Sequence, residues 1–286
     1  VLSIRPGLLL PIALIIVGEA MIYTRNYQLA VAIHAINLIY LALASAFVED
    51  RAYQALMMMP LFRLLNIAMP VFFQLTLYSY ALIYAPMMLP MYLILRDRRF
   101  TNDEIGIKFS RLDFWIPIAI AMGLLIGWGE YQVIKPQMLT PDESLRSLLL
   151  LAAVQIFFVG LVEEFMFRST LQTVAEQRFG SLPGLLLASI LFGIMHSGYG
   201  LFSELIYVSL GGVAFGLLFQ WSRSLPVISL AHGVTNVSLF MIVPGASWAL
   251  LPAIGICGAI MGAAFLRDRH AGEPSGIGLN ALNLKN

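Results

Sequence analysis

Seven side chains carry the chemistry open to this sequence, and they fall into three groups. Glu163, Glu164 and Arg168 lie in VEEFMFRS, inside a run that is otherwise apolar, where an unpaired charge costs several kcal/mol. On a helix Glu164 and Arg168 stand at i and i+4 with the acid N-terminal to the base, the favoured order for an ion pair. Glu163 points about 100° away around the helix and has a different environment. A carboxylate placed to take up a proton is what general-base catalysis requires. The second group is Phe192 and His196 in FGIMHS, the third His232 and Asn236 in AHGVTN, both again at i and i+4. Any one group alone has a structural reading, as an ion pair or as helix-to-helix hydrogen bonds. Three of them on the same few apolar segments read as a functional site, because ionisable groups inside a membrane span are functional candidates by default.

Helix geometry links the first two groups. If their segments form an antiparallel hairpin turning at Phe179 and Gly180, Glu163 and His196 both lie roughly 25 Å from the turn at 1.5 Å per residue, and they meet. His232 lies only roughly 12 Å beyond a turn at Ser224, so bringing it level requires the helix that carries the glutamates to project out of the bilayer. The polar segment STLQTVAEQRFG, residues 169–180, suits such a projection.

The surrounding chain is that of an integral membrane protein. Of 286 residues 59% are hydrophobic and 12% charged, and the mean hydropathy is +0.84, far from any ordinary water-soluble domain. Charges are scattered among loops and form no basic face, so nucleic acid is not an expected partner. Runs of roughly 20 apolar residues place spans near Leu8–Tyr23, Leu29–Phe47, Val71–Leu95, Phe114–Ile134, Leu148–Leu171, Leu182–Ser197, Phe202–Trp221, Leu225–Val243 and Trp248–Leu266. The segment from Ala55 to Pro70 carries Arg63 and Asn66 and reads as an interfacial helix. The expectation is an all-α, polytopic bundle of about eight to ten transmembrane helices, forming one domain over residues 1–270 with the chemistry within 148–243. A disordered tail is expected over 271–286. The first run is expected to be an uncleaved helix. Five Lys or Arg in residues 96–113, with Arg267 and Arg269, put those segments on the cytoplasmic side, and the N-terminus outside if residues 55–70 do not cross.

Other polar residues receive structural readings. Glu19 and His34 are expected in interhelical hydrogen bonds or at a span end, Gln155 as a bridge within the bundle, and Arg63, Glu204 and Arg223 at an interface, snorkelling. Cys257 is expected to pack, Trp115, Trp128, Trp221 and Trp248 to mark span ends, and the GxxxG pairs Gly212/Gly216 and Gly258/Gly262 to let helices approach closely.

The order EExxxR, FxxxH, HxxxN on consecutive apolar segments resembles the CAAX prenyl endopeptidase family, also called the CPBP or Abi family of intramembrane glutamate proteases. The resemblance covers about the last 40% of the chain before the tail; residues 1–140 read only as membrane. It implies a metal-independent, cofactor-free endopeptidase of the cell membrane, in which Glu163, aided by His196, activates a water against a peptide carbonyl. His232 and Asn236 would donate hydrogen bonds to the developing oxyanion, and Glu164, Arg168 and Phe192 would support the site. Choosing Glu163 over Glu164 as the base is carried over from the family. The implied substrate is a prenylated protein or peptide losing its C-terminal tripeptide, with membrane lipid around the site. Other classes remain open on the residues alone. A zinc protease could use Glu163, His196 and His232, although no HExxH helix occurs. A transporter could relay protons through the same charges, and an immunity or partner-binding protein could keep the site without catalysis. A serine or aspartyl intramembrane protease finds no GxSG or GxGD motif.

Overall fold

The computed structural model describes residues 6–68, 76, 78–97, 99–136 and 144–270. These form helices and no strand: α1 Pro6–Tyr23, α2 Tyr27–Phe47, α3 Arg51–Ala68, α4 Ser79–Tyr84, α5 Met88–Asp97, α6 Asn102–Ile105 and α7 Leu112–Ile134. There follow α8, a continuous helical path Leu145–Phe179, then α9 Ser181–Ile194, α10 Phe202–Ser222, α11 Leu225–Val237 and α12 Leu250–His270. The fold class is the expected all-α membrane bundle. Among the described residues six helical segments are long and apolar enough to cross a bilayer, with a shorter apolar helix at Gly7–Tyr23. One of the six, Leu225–Arg267, runs for 43 residues and contains two of the expected spans. Part of the expected span at 71–95, and the tail at 271–286, lie outside the described residues.

Local sequence explains where the helices start and stop. Ser144 caps α8 by accepting from the Ser147 amide, and Thr101 and Glu104 form a reciprocal capping box on α6. The 3₁₀ turn Ala85–Met87, with Pro86 inside it, joins α4 to α5. The outer surface is apolar: Ile36, Leu210 and Leu251 are 62%, 63% and 80% exposed, as lipid-facing side chains must be where no water competes.

One apolar cluster runs from Leu8 to Ala231 and joins α1 to α11. At its centre is α11, packed against α7, α8 and α10. Glycine allows the close approach of α8 to α11. A Cβ on Gly233 would stand 2.5 Å from the Ile156 Cα of α8, and one on Gly160 would stand 2.5 Å from the Ser229 carbonyl. The two backbones therefore cross with no side chain between them, and the glutamates of α8 come against His232 of α11.

Over its described part, residues 55–68, the segment read as interfacial is covered by other helices: Ala55, Met58 and Met59 are wholly buried, and α3 packs against α1, α2 and α8. Two readings are corrected. Arg63 does not snorkel, since it is 5% exposed and finds Glu19 on α1. Glu204 is buried, facing Glu130 of α7. Arg223, by contrast, is 43% exposed and pairs with Glu176. Gly212 and Gly216 seat α10 on α9 and α8, whereas a Cβ on Gly258 or Gly262 would meet no other helix within 4 Å among the described residues.

Candidate active site

The glutamates sit on a helix whose turns are widened on both sides of them. Residues Leu161–Glu164 are α-helical, between the π-helical stretches Gln155–Gly160 and Phe165–Gln172. Such π segments recur at functional sites because they change which side chains share a face. At 35 residues, α8 measures roughly 50 Å against a hydrocarbon core of roughly 30 Å. Its last turns extend past the start of α11: Arg223, just before α11, reaches back to Glu176 at 3.3 Å. The start of α11 therefore lies short of the end of α8, and His232 comes level with the glutamates.

Glu164 is the buried hub. Fully enclosed, it has the Arg168 guanidinium as an ion-pair partner, Nε 3.2 Å from one oxygen, and accepts from His232 Nδ1 at 2.6 Å on the other. Arg168, 1% exposed, also donates to the Gly212 carbonyl at 3.2 Å and lies over the Phe192 ring, 4.3 Å from its centroid. That ring in turn stands edge-on to both histidines, 5.0 Å from His196 and 5.8 Å from His232. Phe192 is thus the apolar wedge that spaces the two imidazoles.

Glu163 points the other way, into a cavity of about 420 Å³. Tyr84 of α4 donates to its Oε1, and His232 Nε2 lies 3.8 Å from its Oε2. His196 and Asn236 line the same cavity. His196 donates through Nδ1 to the Phe192 carbonyl at 2.9 Å, which fixes the tautomer and leaves Nε2 as the basic nitrogen. His232 spends Nδ1–H on the Glu164 carboxylate, so it donates from Nε2 only as the imidazolium. Asn236 gives one amide hydrogen to Gln155 Oε1 at 3.1 Å and keeps a second. The structure therefore brings all seven sequence-identified residues to one place: Glu163, His196, His232 and Asn236 around the cavity, and Glu164, Arg168 and Phe192 behind them. Among the described residues no three His, Cys, Asp or Glu side chains are grouped to hold a metal.

Sequence reasoning missed the residues that complete the lining. Tyr84 and Tyr80 come from α4, Arg63 and Asn66 from α3, and Glu130 from α7. Glu130 had a usable signal, a carboxylate near the end of an apolar run. Tyr84 had none, because a tyrosine in an apolar segment ordinarily marks a membrane interface.

Residues 145–238 match the family model described as type II CAAX prenyl endopeptidase Rce1-like. The match starts with α8, ends one residue past α11 and contains all seven site residues. No curated protein and no solved structure matches the chain.

Proposed function

We propose that this protein is an intramembrane endopeptidase that cleaves peptide bonds near the C-terminus of prenylated proteins or peptides, with Glu163 and His196 as the water-activating pair. The observation that carries this reading is that Glu163 and His196 share one cavity with two hydrogen-bond donors, His232 and Asn236, in the stretch that matches a CAAX endopeptidase family. A water held by Glu163 loses a proton to it, and the new oxygen–carbon bond forms at the scissile carbonyl. The carbonyl oxygen becomes an oxyanion, met by the Nε2–H of His232 in its imidazolium form, held beside the Glu164 carboxylate, and by the Asn236 amide. The proton then passes to the leaving nitrogen as the C–N bond breaks. Arg168 and Glu164 hold His232 in place and do not touch substrate. Tyr84 orients Glu163. The cavity is also lined by Phe62, Val159, Phe167 and Phe240, an apolar side that suits a lipid-modified chain delivered from a bilayer, and the cell membrane is the proposed location.

The test is mass spectrometry of a farnesylated peptide ending in a CAAX sequence, incubated with the purified protein. Release of the C-terminal tripeptide is expected from wild type, with or without a chelator. Loss of about 10²- to 10⁴-fold is expected in Glu163→Gln and in His196→Ala. Full activity in Glu163→Gln would remove the assigned base. Activity abolished by the chelator and restored by zinc would favour a metal mechanism instead, and no cleavage of any peptide would return the site to a binding or transport role.

A further inference from the structure

Helices α1 and α3, which lie outside the matched stretch, hold the turn that carries His196. Arg63 of α3 grips Glu19 of α1 with two parallel bonds, Nε to Oε1 and Nη2 to Oε2, each 2.7 Å. From that position Nη2 also donates to the Met195 carbonyl, and Ser197 Oγ donates to Glu19 Oε2 at 2.5 Å. The ion pair therefore binds the residue before His196 and the residue after it. His34 of α2 stands 3.4 Å from the other Glu19 oxygen, and Glu19, His34, Arg63 and Ser197 are all at least nine-tenths buried.

The turn needs holding. Helix α9 ends at Ile194, and His196 has φ −95° and ψ 14°, outside regular helix. The carbonyl at 195 is one of the groups that a helix end leaves without an intrahelical partner, and a cation there also meets the negative end of the helix dipole. A buried ion pair is a poor device for stability alone, since apolar replacements of similar volume are often as stable. What the pair supplies here is position: a planar guanidinium and a planar carboxylate fix two points of the backbone that flank a catalytic imidazole.

We infer that Glu19 and Arg63 are positioning residues for His196, a clamp supplied by the N-terminal helices that aims its Nε2 into the cavity. The inference rests on the peptidase reading, and its test separates the two. Three forms are compared: wild type, Arg63→Lys, and the double variant Glu19→Leu with Arg63→Met, which removes the charges together and so avoids stranding either one. Imidazole ¹⁵N spectra of His196 in detergent report its tautomer without any substrate, and kcat and KM for the farnesylated peptide report catalysis. Expected in both variants are a folded protein, a His196 spectrum shifted from a single Nδ1–H tautomer toward a mixture, and a kcat lower by about 10- to 100-fold with KM within about threefold. Shortening the fork to a lysine is expected to do part of this damage, because a single ammonium cannot hold Glu19 and the 195 carbonyl in one plane. A double variant with an unchanged His196 spectrum overturns the clamp, whatever the activity. If wild type cleaves nothing while the spectrum shifts as stated, the clamp stands and the peptidase reading falls.

Discussion

Removing the Arg168 guanidinium should strand a charge in the least accessible part of the protein. Glu164 is wholly buried and Arg168 is 1% exposed, with Nε and Oε2 3.2 Å apart. At an effective dielectric constant of about 20, two unit charges at that separation attract by about 5 kcal/mol. Arg168→Met keeps most of the side-chain volume between Phe192 and Phe215 but forfeits that attraction, the bond to Gly212 and the cation over the Phe192 ring. The His232 contact remains to Glu164, so the loss is partial, and breaking a buried pair from one side typically costs about 3 to 5 kcal/mol. In a Glu164→Gln background the same change strands nothing, since the amide still accepts from His232 Nδ1 and no anion is left behind. The cost there should fall by about 2 kcal/mol or more, which is the coupling energy of the cycle. Equilibrium denaturation of the four proteins in mixed micelles, followed by tryptophan fluorescence, measures all four corners. A coupling below about 0.5 kcal/mol would show that the pair is not a buried charge pair in the energetic sense, and the account of Glu164 as the hub would fail with it.

Three further perturbations test separate parts of the structure. Tyr84→Phe removes the hydroxyl that donates to Glu163 while keeping the ring packed 5.0 Å from Phe62; kcat should fall about tenfold, equivalent to about 1.4 kcal/mol of one lost hydrogen bond, with thermal stability unchanged, and equal kinetics would remove Tyr84 from the site. At the polar end of the bundle, hydrogen bonds from Arg51, then from the Thr101 amide and Gln177, hold Glu104 at about 2 against its ordinary 4.5. Because the folded value is the lower one, this contribution is complete above pH 4.5 and is lost as pH falls from about 4.5 toward 2. Melting temperature should therefore drop less over that acid range in Glu104→Gln than in wild type, by an amount worth no more than about 1 kcal/mol for partly exposed partners, and parallel profiles would contradict it. Gly233→Ala places a methyl 2.5 Å from the Ile156 Cα, a backbone atom that cannot swing aside. The α8–α11 crossing must open, costing about 1 to 3 kcal/mol of stability and pulling His232 off Glu164, so a double loss of stability and cleavage is expected, and a fully active, stable variant would show that the crossing has slack.

The fold class and the convergence of the candidate site's residues were legible in the sequence for different reasons. Hydropathy alone identifies an all-helical membrane chain, since a bilayer admits few other structures. The three motifs work because i,i+4 spacing sets a face in advance, whatever the neighbours do. Glu164 and Arg168 meet as their spacing requires. What spacing cannot show is which oxygen meets which distant donor. Glu163 and Glu164 are adjacent in sequence, yet one faces Tyr84 and the cavity while the other faces Arg168 and His232, an outcome that depends on the flanking π turns and on the glycine crossing with α11. Neither has a signature in composition.

The misread residues show the same limit from the other side. Set against their own apolar runs, Arg63 and Glu204 read as interface residues, because a lone charge there must either snorkel or bear the cost of burial. Arg63 does neither alone: its partner Glu19 is 44 residues away, and its contact at Met195 lies 132 residues away. A one-dimensional scan sees two isolated charges where the fold makes one neutral, hydrogen-bonded unit. The family match repeats that boundary, starting at residue 145, although Tyr84, Arg63 and Glu130 line the same cavity as Glu163. Chemistry that must be done by particular side chains at particular spacing leaves a motif. Positioning of those side chains can come from any helix that reaches them with a donor of the right geometry, and so the N-terminal helices can contribute to the site without leaving a motif to find.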